Sequence, residues 1–452
     1  MEREAEFITE PQKKIPVVAE ADICVVGGSC TGVFAAVRAA RLGASVIVIE
    51  REGCLGGTAT SGLVNCWHTL NDTSGEKQII AGLTEEILSR VEPAETRGKN
   101  HADSHFFNPH ELKTELDMLC AENGVRVMLH TLYCSCMEED GNVRYIIIEN
   151  KDGRGAVRAS FFIDASGDGD ICRDLGIEKF YNQTIQPPSA CFLLEGDVSH
   201  VDVTRLIRHH GDEFGLEKDW GWFCRVPDAT NITMRADTHV LGLIPDKAED
   251  LTKAEIEGRR KMRAVIRMLN RYGAEGVRYA NVSSCSSIGI RETAHYVTAK
   301  KADQFELLLG KRYYDCVMNG TYNVDVHLPD GSITFRHFDG SFNTELADGG
   351  RVTGSWRREL GIDESLPIPT YYSLPFSCLV PVRHDNLIAV GRMINADIFS
   401  FGALRVMVNL NQLGEAAGVA AYLSISSGVS VRLLDGRSVA KKLSEGGSAN
   451  LA

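Results

Sequence analysis

Residues 22–50, DICVVGGSCTGVFAAVRAARLGASVIVIE, constrain the fold of this chain more than any other stretch. A short apolar run at 23–26 precedes a glycine turn, and alanine and valine at helical spacing follow until Gly43. A second apolar run then leads to Glu50. This order of strand, turn, helix and strand predicts a parallel crossover unit in an α/β fold.

The glycine turn of this unit is typical of a dinucleotide site. Glycines let the backbone approach a pyrophosphate closely, and the amides at the start of the next helix favour its negative charge. An acid about twenty residues further on, here Glu50, can accept hydrogen bonds from both ribose hydroxyls. Ser29 replaces the second glycine of the G-x-G-x-x-G pattern, so its Cβ crowds the phosphate. We therefore predict dinucleotide binding, rather than a plain crossover, by Gly27, Gly28, Ser29, Cys30, Thr31, Gly32 and Glu50.

The remaining apolar patterns predict how the chain continues. Helices are expected at 79–91, 111–123 and 251–272, and a closing helix is expected at 408–424. Strands are expected at 125–129, 142–149, 155–162 and 386–391. The strand at 125–129 should extend the main sheet, whereas 142–149 and 155–162 should form a small separate crossover sheet.

A second glycine-rich loop, residues 53–62, follows Glu50 almost directly. Nicotinamide-binding domains do not need such a loop. Flavoproteins of the glutathione reductase and fumarate reductase type carry L-G-G-T beside the FAD pyrophosphate and the flavin, and this loop resembles theirs. The resemblance implies FAD as the cofactor, with contacts from Arg51, Gly56, Gly57, Thr58 and Ala59.

Further segments of the chain resemble a bacterial family of FAD-dependent oxidoreductases with the glutathione-reductase-type FAD fold, akin to fumarate reductase and heterodisulfide reductase flavoproteins. These segments are GCLGGTATSGLVN (53–65), FNPHELK (107–113), FFIDASGDGD (161–170), IGIRET (288–293), YNVDVH (322–327) and 386–421. The chain departs from that family at Ser29, and at Asn108 and His110, where relatives usually show Asp-Pro-Glu. It also has Thr293-Ala294-His295 where an R-x-T-R-R run is common, so the substrate is not carried over.

The resemblance also implies where the rest of FAD would lie. The adenine edge would meet the backbone near Tyr133, and Asp168 would lie near the ribityl chain. The flavin pyrimidine would face the start of the closing helix, whose dipole stabilises negative charge on the reduced ring. The further cofactor-binding residues implied in this way are Ala165, Ser166, Gly167, Gly391, Arg392, Val408 and Asn409.

The length of 452 residues predicts two or three lobes. We expect an FAD-binding Rossmann domain built from residues 1–190 and 371–452, with a mixed α+β substrate domain inserted at 191–370. The net charge of -13 argues against nucleic acid, which requires basic patches. The chain has no long apolar run and no signal-peptide pattern, so we expect a cytoplasmic protein without a membrane partner.

The thirteen cysteines are scattered, without a C-x-x-C pair, which predicts no iron–sulfur cluster, no structural zinc and no other metal site. The redox disulfide of glutathione-reductase-type enzymes is also not expected, because Ala59 and Val64 stand at its cysteine positions. Cys54 and Cys66 flank the flavin loop and are interpreted as packing or lining residues rather than redox groups, because buried thiols are usually inert.

Without a dithiol, the flavin is expected to exchange a hydride with a small polar substrate. Such a reaction needs a C–H held at the flavin, an acid or base in hydrogen-bond reach, and a cation for an anionic substrate. The resemblance places Arg291, His327 and Arg405 on the substrate side of the flavin. Two of them have a named structural alternative: His327 could be bonded to Asp325 or to a backbone group, and Arg291 could be paired with Glu292 or Asp325.

His295, four residues after Arg291, is a further candidate in the inserted domain, and Tyr372 and His68 are weaker ones. The substrate is expected to be a hydroxylated or sugar-like compound, oxidised with His327 as base, or an unsaturated carboxylic acid, reduced with an arginine as proton donor. The electron partner is not identified, and no second glycine turn for a nicotinamide cofactor is visible. An FAD-binding assembly or sensing protein without turnover is the alternative of a different class.

Overall fold

The structure is a computed structural model that describes residues 6–92, 104–219, 221–237 and 239–449. The outermost parts of the predicted FAD-binding segments, residues 1–5 and 450–452, lie outside these ranges. No helix in the described ranges is long and apolar enough to cross a membrane.

The described strands are β1 (Val17–Val26), β2 (Val46–Ile49), β3 (Cys66–His68), β4 (Ser104–Phe106), β5 (Arg126–Met128), β6 (Leu132–Glu139), β7 (Asn142–Asn150), β8 (Gly153–Asp164), β9 (Lys179–Phe180), β10 (Phe192–Glu195), β11 (Trp222–Arg225), β12 (Ile232–Ala236), β13 (Ala280–Ser284), β14 (His295–Tyr296), β15 (Cys316–Gly320), β16 (Val324–His327), β17 (Ile333–Arg336), β18 (Ser341–Glu345), β19 (Arg351–Ser355), β20 (Tyr372–Pro375) and β21 (Leu387–Ala389). The described helices are α1 (Cys30–Arg41), α2 (Leu83–Val91), α3 (Pro109–Glu122), α4 (Asp170–Asp174), α5 (Val203–His210), α6 (Ala248–Tyr272), α7 (Gln304–Leu308), α8 (Trp356–Glu359), α9 (Ile398–Leu404), α10 (Met407–Ser427) and α11 (Gly436–Glu445). The predicted helices are confirmed, with α2 beginning four residues later than expected.

The main sheet has the strand order β5-β2-β1-β8-β7-β6, and β21 pairs with β8 beside this path. β1 runs parallel to both β2 and β8, and β2 runs parallel to β5. The crossover from β1 through α1 to β2 is therefore confirmed, as is the extension of the sheet by the strand at 125–129. Because parallel strands present their carboxyl ends at one edge, the turn after β1 and the acid after β2 meet there.

The expectation of a separate crossover sheet at 142–149 and 155–162 is wrong. β8 is long enough to serve two sets of neighbours within one sheet. Its first half pairs antiparallel with β7, and its second half pairs parallel with β1 and β21. The apolar pattern predicts the two strands correctly, but only their pairing shows that they join the main sheet.

The closing helix α10 lies directly on α1, because glycines let the two backbones approach. A Cβ added at Gly414 would lie 2.1 Å from the carbonyl oxygen of Thr31, and one at Gly418 would lie 2.2 Å from that of Ala35. The Arg38 guanidinium in α1 also forms a buried ion pair with Glu415 of α10. This packing fixes the start of α10 next to the glycine turn that follows β1.

Two further four-stranded sheets lie within the chain segment between β8 and β21. One has the order β11-β12-β10-β13, and the other is the meander β16-β17-β18-β19. The long helix α6 packs with the first of them through a shared apolar cluster. The chain therefore has a mixed α/β fold, consistent with a Rossmann-like dinucleotide-binding domain, and the predicted domain limits stay a prediction.

Candidate functional site

Two adjoining cavities open at the carboxyl edge of the main sheet. The smaller one, of about 120 Å³, is called here the nucleotide cavity, and Gly27, Glu50, Arg51 and Tyr133 are among its lining residues. The larger one, of about 360 Å³, is called the main cavity, and its volume is usual for a ligand pocket. The residues that line both cavities are Ser29, Thr58, Ala165, Ser166, Ile290 and Arg392.

The nucleotide cavity is organised around the carboxylate of Glu50. The amide of Gly28 donates to its Oε2 at 2.6 Å, and the amide of Glu52 donates to its Oε1 at 2.7 Å. Burial raises the pKa of Glu50, while these two hydrogen bonds act in the opposite direction. The carboxylate is thus held in one orientation at the edge of the cavity, as a ribose-binding acid requires.

The glycine turn has no room for larger residues at two of its positions. Gly27 has φ +104°, and a Cβ there would lie 2.2 Å from the carbonyl oxygen of Ala165. A Cβ at Gly32 would lie 1.9 Å from the carbonyl oxygen of Gly27. Ser29 lies opposite Gly57 of the second loop. A Cβ added at Gly57 would lie 3.0 Å from the Cβ of Ser29, so the glycine leaves room for the serine side chain.

The start of α10 forms another wall of the main cavity. Met407, Leu410 and Asn411 line it, and their spacing puts them on one face of the helix. Both amide atoms of Asn411 are buried without a hydrogen-bond partner in the described part of the chain. Arg392 and Arg405 also line this cavity, and their Nε atoms are likewise buried without a hydrogen-bond partner in the described part of the chain. Buried polar atoms of this kind require a partner, and the polar edges of FAD would supply one.

Several residues predicted to bind the cofactor do not line either cavity. The side chain of Asn409 points instead to the helix packing, because its Nδ2 donates to the Tyr372 hydroxyl and to the carbonyl of Ala403, both at 3.0 Å. Asp168 accepts from Arg392 at 2.6 Å and so holds that arginine beside both cavities. The others outside the linings are Gly28, Gly32, Ala59 and Val408, whereas the remaining predicted residues all line one or both cavities.

Charged and ionisable groups gather at the end of the main cavity away from the glycine turn. Asp325 and His327 alternate along β16 and so face the same side. The Asp325 carboxylate accepts from Arg405 Nη2 at 2.8 Å and from the Tyr322 hydroxyl at 2.6 Å. Its Oδ1 lies 3.7 Å from Nε2 of His327. The alternation in YNVDVH was the sequence signal for this group, although only His327 was predicted from it as a site residue.

Burial sets the protonation of the cavity histidines. Burial, together with nearby His239, Arg291 and Arg405, holds the pKa of His327 well below its usual range. Burial also lowers the pKa of His68 to about 4. Both rings are therefore neutral at pH 7, and a neutral imidazole can accept a proton.

Arg291 is held by neutral acceptors. Its Nη1 donates to the carbonyl of Pro187 at 2.8 Å and to the Ser189 hydroxyl at 2.6 Å. Its Nη2 donates to Nε2 of His239 at 3.0 Å, so the His239 proton is on Nδ1, which donates to Asp219 at 2.7 Å. The predicted pairing with Glu292 or Asp325 is not found. Burial and the Arg405 charge lower the pKa of Arg291 to about 10, which leaves it cationic at pH 7.

Asp219, His239 and His327 also present potential metal-ligand atoms within 4.8 Å of one another. Both ring nitrogens of His239 are already engaged, one of them by the Arg291 guanidinium. A metal ion at this place would lie beside the Arg291 guanidinium, which is itself a cation. The geometry therefore favours a hydrogen-bonded chain from Asp219 through His239 that orients Arg291.

His295 and Tyr372 do not line the main cavity. The Nδ1 of His295 lies 2.6 Å from the carbonyl oxygen of Ile394, and its Nε2 lies 2.8 Å from the Glu292 carboxylate. The Tyr372 hydroxyl donates to the carbonyl of Ala403 at 3.0 Å. The structure thus brings Arg291, His327 and Arg405 together in one cavity, and it leaves these two candidates behind its wall.

The amino-acid sequence of the chain is similar to those of known proteins. A sequence profile described as FAD dependent oxidoreductase matches residues 22–443. A curated relative, digeranylgeranylglycerophospholipid reductase 2 of Methanothermobacter thermautotrophicus, is 27% identical over 192 residues, which are 40% of this chain and 48% of the relative. The match thus spans about half the length of that relative.

Two solved structures align with this chain at low sequence identity. A geranylgeranyl bacteriochlorophyll reductase-like protein from Thermoplasma acidophilum is 13% identical, with a TM-score of 0.46, over 95% of this chain and 82% of its own. The myxobacterial chondrochloren halogenase CndH is 14% identical, with a TM-score of 0.43, over 95% of this chain and 78% of its own. From the profile match over nearly its whole length, the chain belongs to the FAD-dependent oxidoreductase family, and FAD is its cofactor.

Proposed function

We propose that this chain oxidises a CH–OH group of a small hydroxylated substrate that carries an anionic group. The observation that carries the proposal is a half-buried arginine, Arg291, which lines the main cavity and forms no ion pair within the described ranges. A buried charge without a counter-ion is costly, and an anionic substrate would provide that counter-ion. When bound, FAD supplies the acceptor for the hydride that leaves the substrate carbon.

His327 is the base in this proposal. Its ring lines the same cavity as Arg291, and its low pKa keeps it neutral and able to take the hydroxyl proton. The backbone amide of His327 donates to Oε1 of Gln186 at 3.0 Å, which fixes the end of β16. Arg405 and Tyr322 hold the Asp325 carboxylate and keep it from approaching the base more closely.

Charge also bears on the class of substrate. The named lipid reductase among the relatives acts, by its name, on a geranylgeranylated phospholipid. The main cavity of this chain instead presents three arginines, two histidines and a carboxylate, which suit a small polar molecule better than a long apolar chain. We assign His295 and Tyr372 packing roles, since their polar atoms are engaged in the protein.

The finer description of the fold belongs to the same proposal. We infer a glutathione-reductase-type arrangement in which the chain between β8 and β21 forms the substrate domain predicted at 191–370. The supporting observation is that this segment supplies Arg291, Asp325 and His327, whereas the segments on either side supply the glycine loops and the start of α10. The electron partner that reoxidises the flavin is proposed to be a separate molecule.

The test is an anaerobic titration of the FAD-loaded protein, followed by flavin absorbance. We expect bleaching of the oxidised flavin by small hydroxy acids or sugar acids, and none by uncharged polyols of the same size. His327→Gln should abolish the bleaching while FAD stays bound. Reoxidation of the reduced flavin by unsaturated carboxylates, without bleaching by any hydroxy acid, would replace the proposal with C=C reduction. If no member of either class changes the spectrum, the chain is an FAD-binding protein without turnover on such substrates.

A further inference from the structure

Four cysteines from distant parts of the sequence meet at one wall of the main cavity. Cys191 and Cys224 belong to a buried apolar cluster, and Cys66 and Cys285 pack against it. Cys66 and Cys191 also line the main cavity itself. All four are free thiols.

The segments that carry Cys66 and Cys224 are held together by contacts of the residues next to these cysteines. The Asn65 side chain, next to Cys66, donates to the carbonyl of Arg225, next to Cys224, at 2.9 Å. The Arg225 guanidinium lies 5.7 Å from the ring centre of Phe106, and Phe106 is the β-sheet partner of Cys66. The two thiols are neighbours in the same cluster, and each perturbs the pKa of the other.

The pair is electrostatically asymmetric. The hydrogen bond from Cys224 lowers the pKa of Cys66 against the effect of burial, with a further contribution from Ser104. The same contact and burial raise the pKa of Cys224. Cys66 is thus the more acidic thiol of the pair, which is the position of the attacking sulfur in a reactive dithiol. By contrast, burial raises the pKa of Cys191 to about 12 and that of Cys285 to about 11, so both stay protonated.

We propose that Cys66 and Cys224 are a redox-active dithiol that exchanges two electrons with the FAD of this protein. In the oxidative direction one S–S bond forms, the sulfur-bound protons are released, and two electrons and two protons pass to oxidised FAD. In the reverse direction, reduced FAD returns two electrons and two protons to the cystine and restores both thiols. Cys66 faces the cavity in which the flavin ring is expected, so the pair lies beside its redox partner.

The first test counts electrons in the FAD-loaded protein. After mild oxidation, anaerobic titration with dithionite should consume four electrons per flavin in the wild type, two for the flavin and two for the cystine. The variants Cys66→Ser and Cys224→Ser should each consume only two. The control Cys134→Ser alters a cysteine of β6, outside both cavity linings, and should keep the wild-type count of four.

The second test needs no variant and no substrate. The wild-type protein is equilibrated in glutathione buffers of graded potential, its thiols are trapped by alkylation, and its peptides are analysed by mass spectrometry. We expect the peptides of Cys66 and Cys224 to appear joined by a disulfide, and both to lose alkylation together as the buffer becomes more oxidising. A wild-type uptake of two electrons, with Cys66 and Cys224 alkylated in the most oxidising buffer, would overturn the proposal. A disulfide between Cys66 and Cys191 instead would overturn it equally.

Discussion

Asn411 provides the sharpest check on where the flavin lies. Both of its amide atoms are buried at the wall of the main cavity and have no partner among the residues that the structure describes. If they bond to FAD, Asn411→Leu removes up to two hydrogen bonds, each with a net contribution of about 0.5 to 1.5 kcal/mol. The loss of about 1 to 3 kcal/mol corresponds to a Kd for FAD roughly 5-fold to 150-fold higher.

The next asparagine back along α10 is a matched control. Asn409 lies in the first turn of the same helix, but its Nδ2 donates to Tyr372 and Ala403 within the protein. Asn409→Leu should therefore lower the unfolding free energy by about 1 to 3 kcal/mol, because buried partners lose a donor. Its Kd for FAD, measured on the folded protein, should change much less than that of Asn411→Leu.

The assay combines two measurements on each variant. FAD binding to the apoprotein is followed by quenching of flavin fluorescence, and stability of the apoprotein is followed by thermal or urea unfolding. Asn411→Leu should leave the apoprotein as stable as the wild type or more so, since it replaces unpaired buried polar atoms by an apolar side chain of similar size. An unchanged Kd in Asn411→Leu, or a larger increase in Asn409→Leu, would refute the assignment of this helix face to the flavin.

Three further predictions concern the cavity and its support. Arg291→Gln removes a cation that lines the main cavity and should raise the KM for an anionic substrate in steady-state kinetics by about 30-fold or more, which corresponds to about 2 kcal/mol or above. The pKa of His327 lies well below the usual imidazole range, so kcat/KM should stay constant as the pH falls from 7 to about 6. It should decline only at lower pH, where the base becomes protonated. A pH profile that declines around the ordinary histidine pKa of about 6.5 would contradict this prediction. Gly414→Val would place a Cβ only 2.1 Å from the carbonyl oxygen of Thr31. It should lower the free energy of unfolding, measured with urea, by about 1 to 3 kcal/mol or more, and Gly414→Ala should lower it by less.

The sequence alone determined the dinucleotide unit, because its information is local. A glycine turn between an apolar strand and a helix has few backbone solutions, and the acid after the next strand lies at a fixed offset along the same edge of the sheet. Gly27, Ser29 and Glu50 could therefore be assigned from the sequence, and all three line the nucleotide cavity. FAD followed from the adjoining second loop, and that prediction is confirmed by the family match.

Only the tertiary structure decided which side chains face the cavity. At the start of α10 the sequence favoured Val408 and Asn409, but the lining falls on Met407, Leu410 and Asn411, because the rotation of a helix about its axis is set by its packing on α1. Likewise, whether a buried histidine is a base or a packing residue depends on its surroundings, as the contrast between His295 and His327 illustrates.

The sequence could not show that Cys66 and Cys224 lie together, because the two residues are far apart in the chain. Patterns such as C-x-x-C reveal pairs that lie on one turn or loop, and neither Cys66 nor Cys224 belongs to one. Their contact depends on β3 being held against β11 through Asn65 and Arg225, which is a property of packing between segments remote in sequence. The amino-acid sequence by itself determines which chemical groups the chain carries, while long-range packing decides which of them meet, because contact energies between remote segments depend on the whole fold.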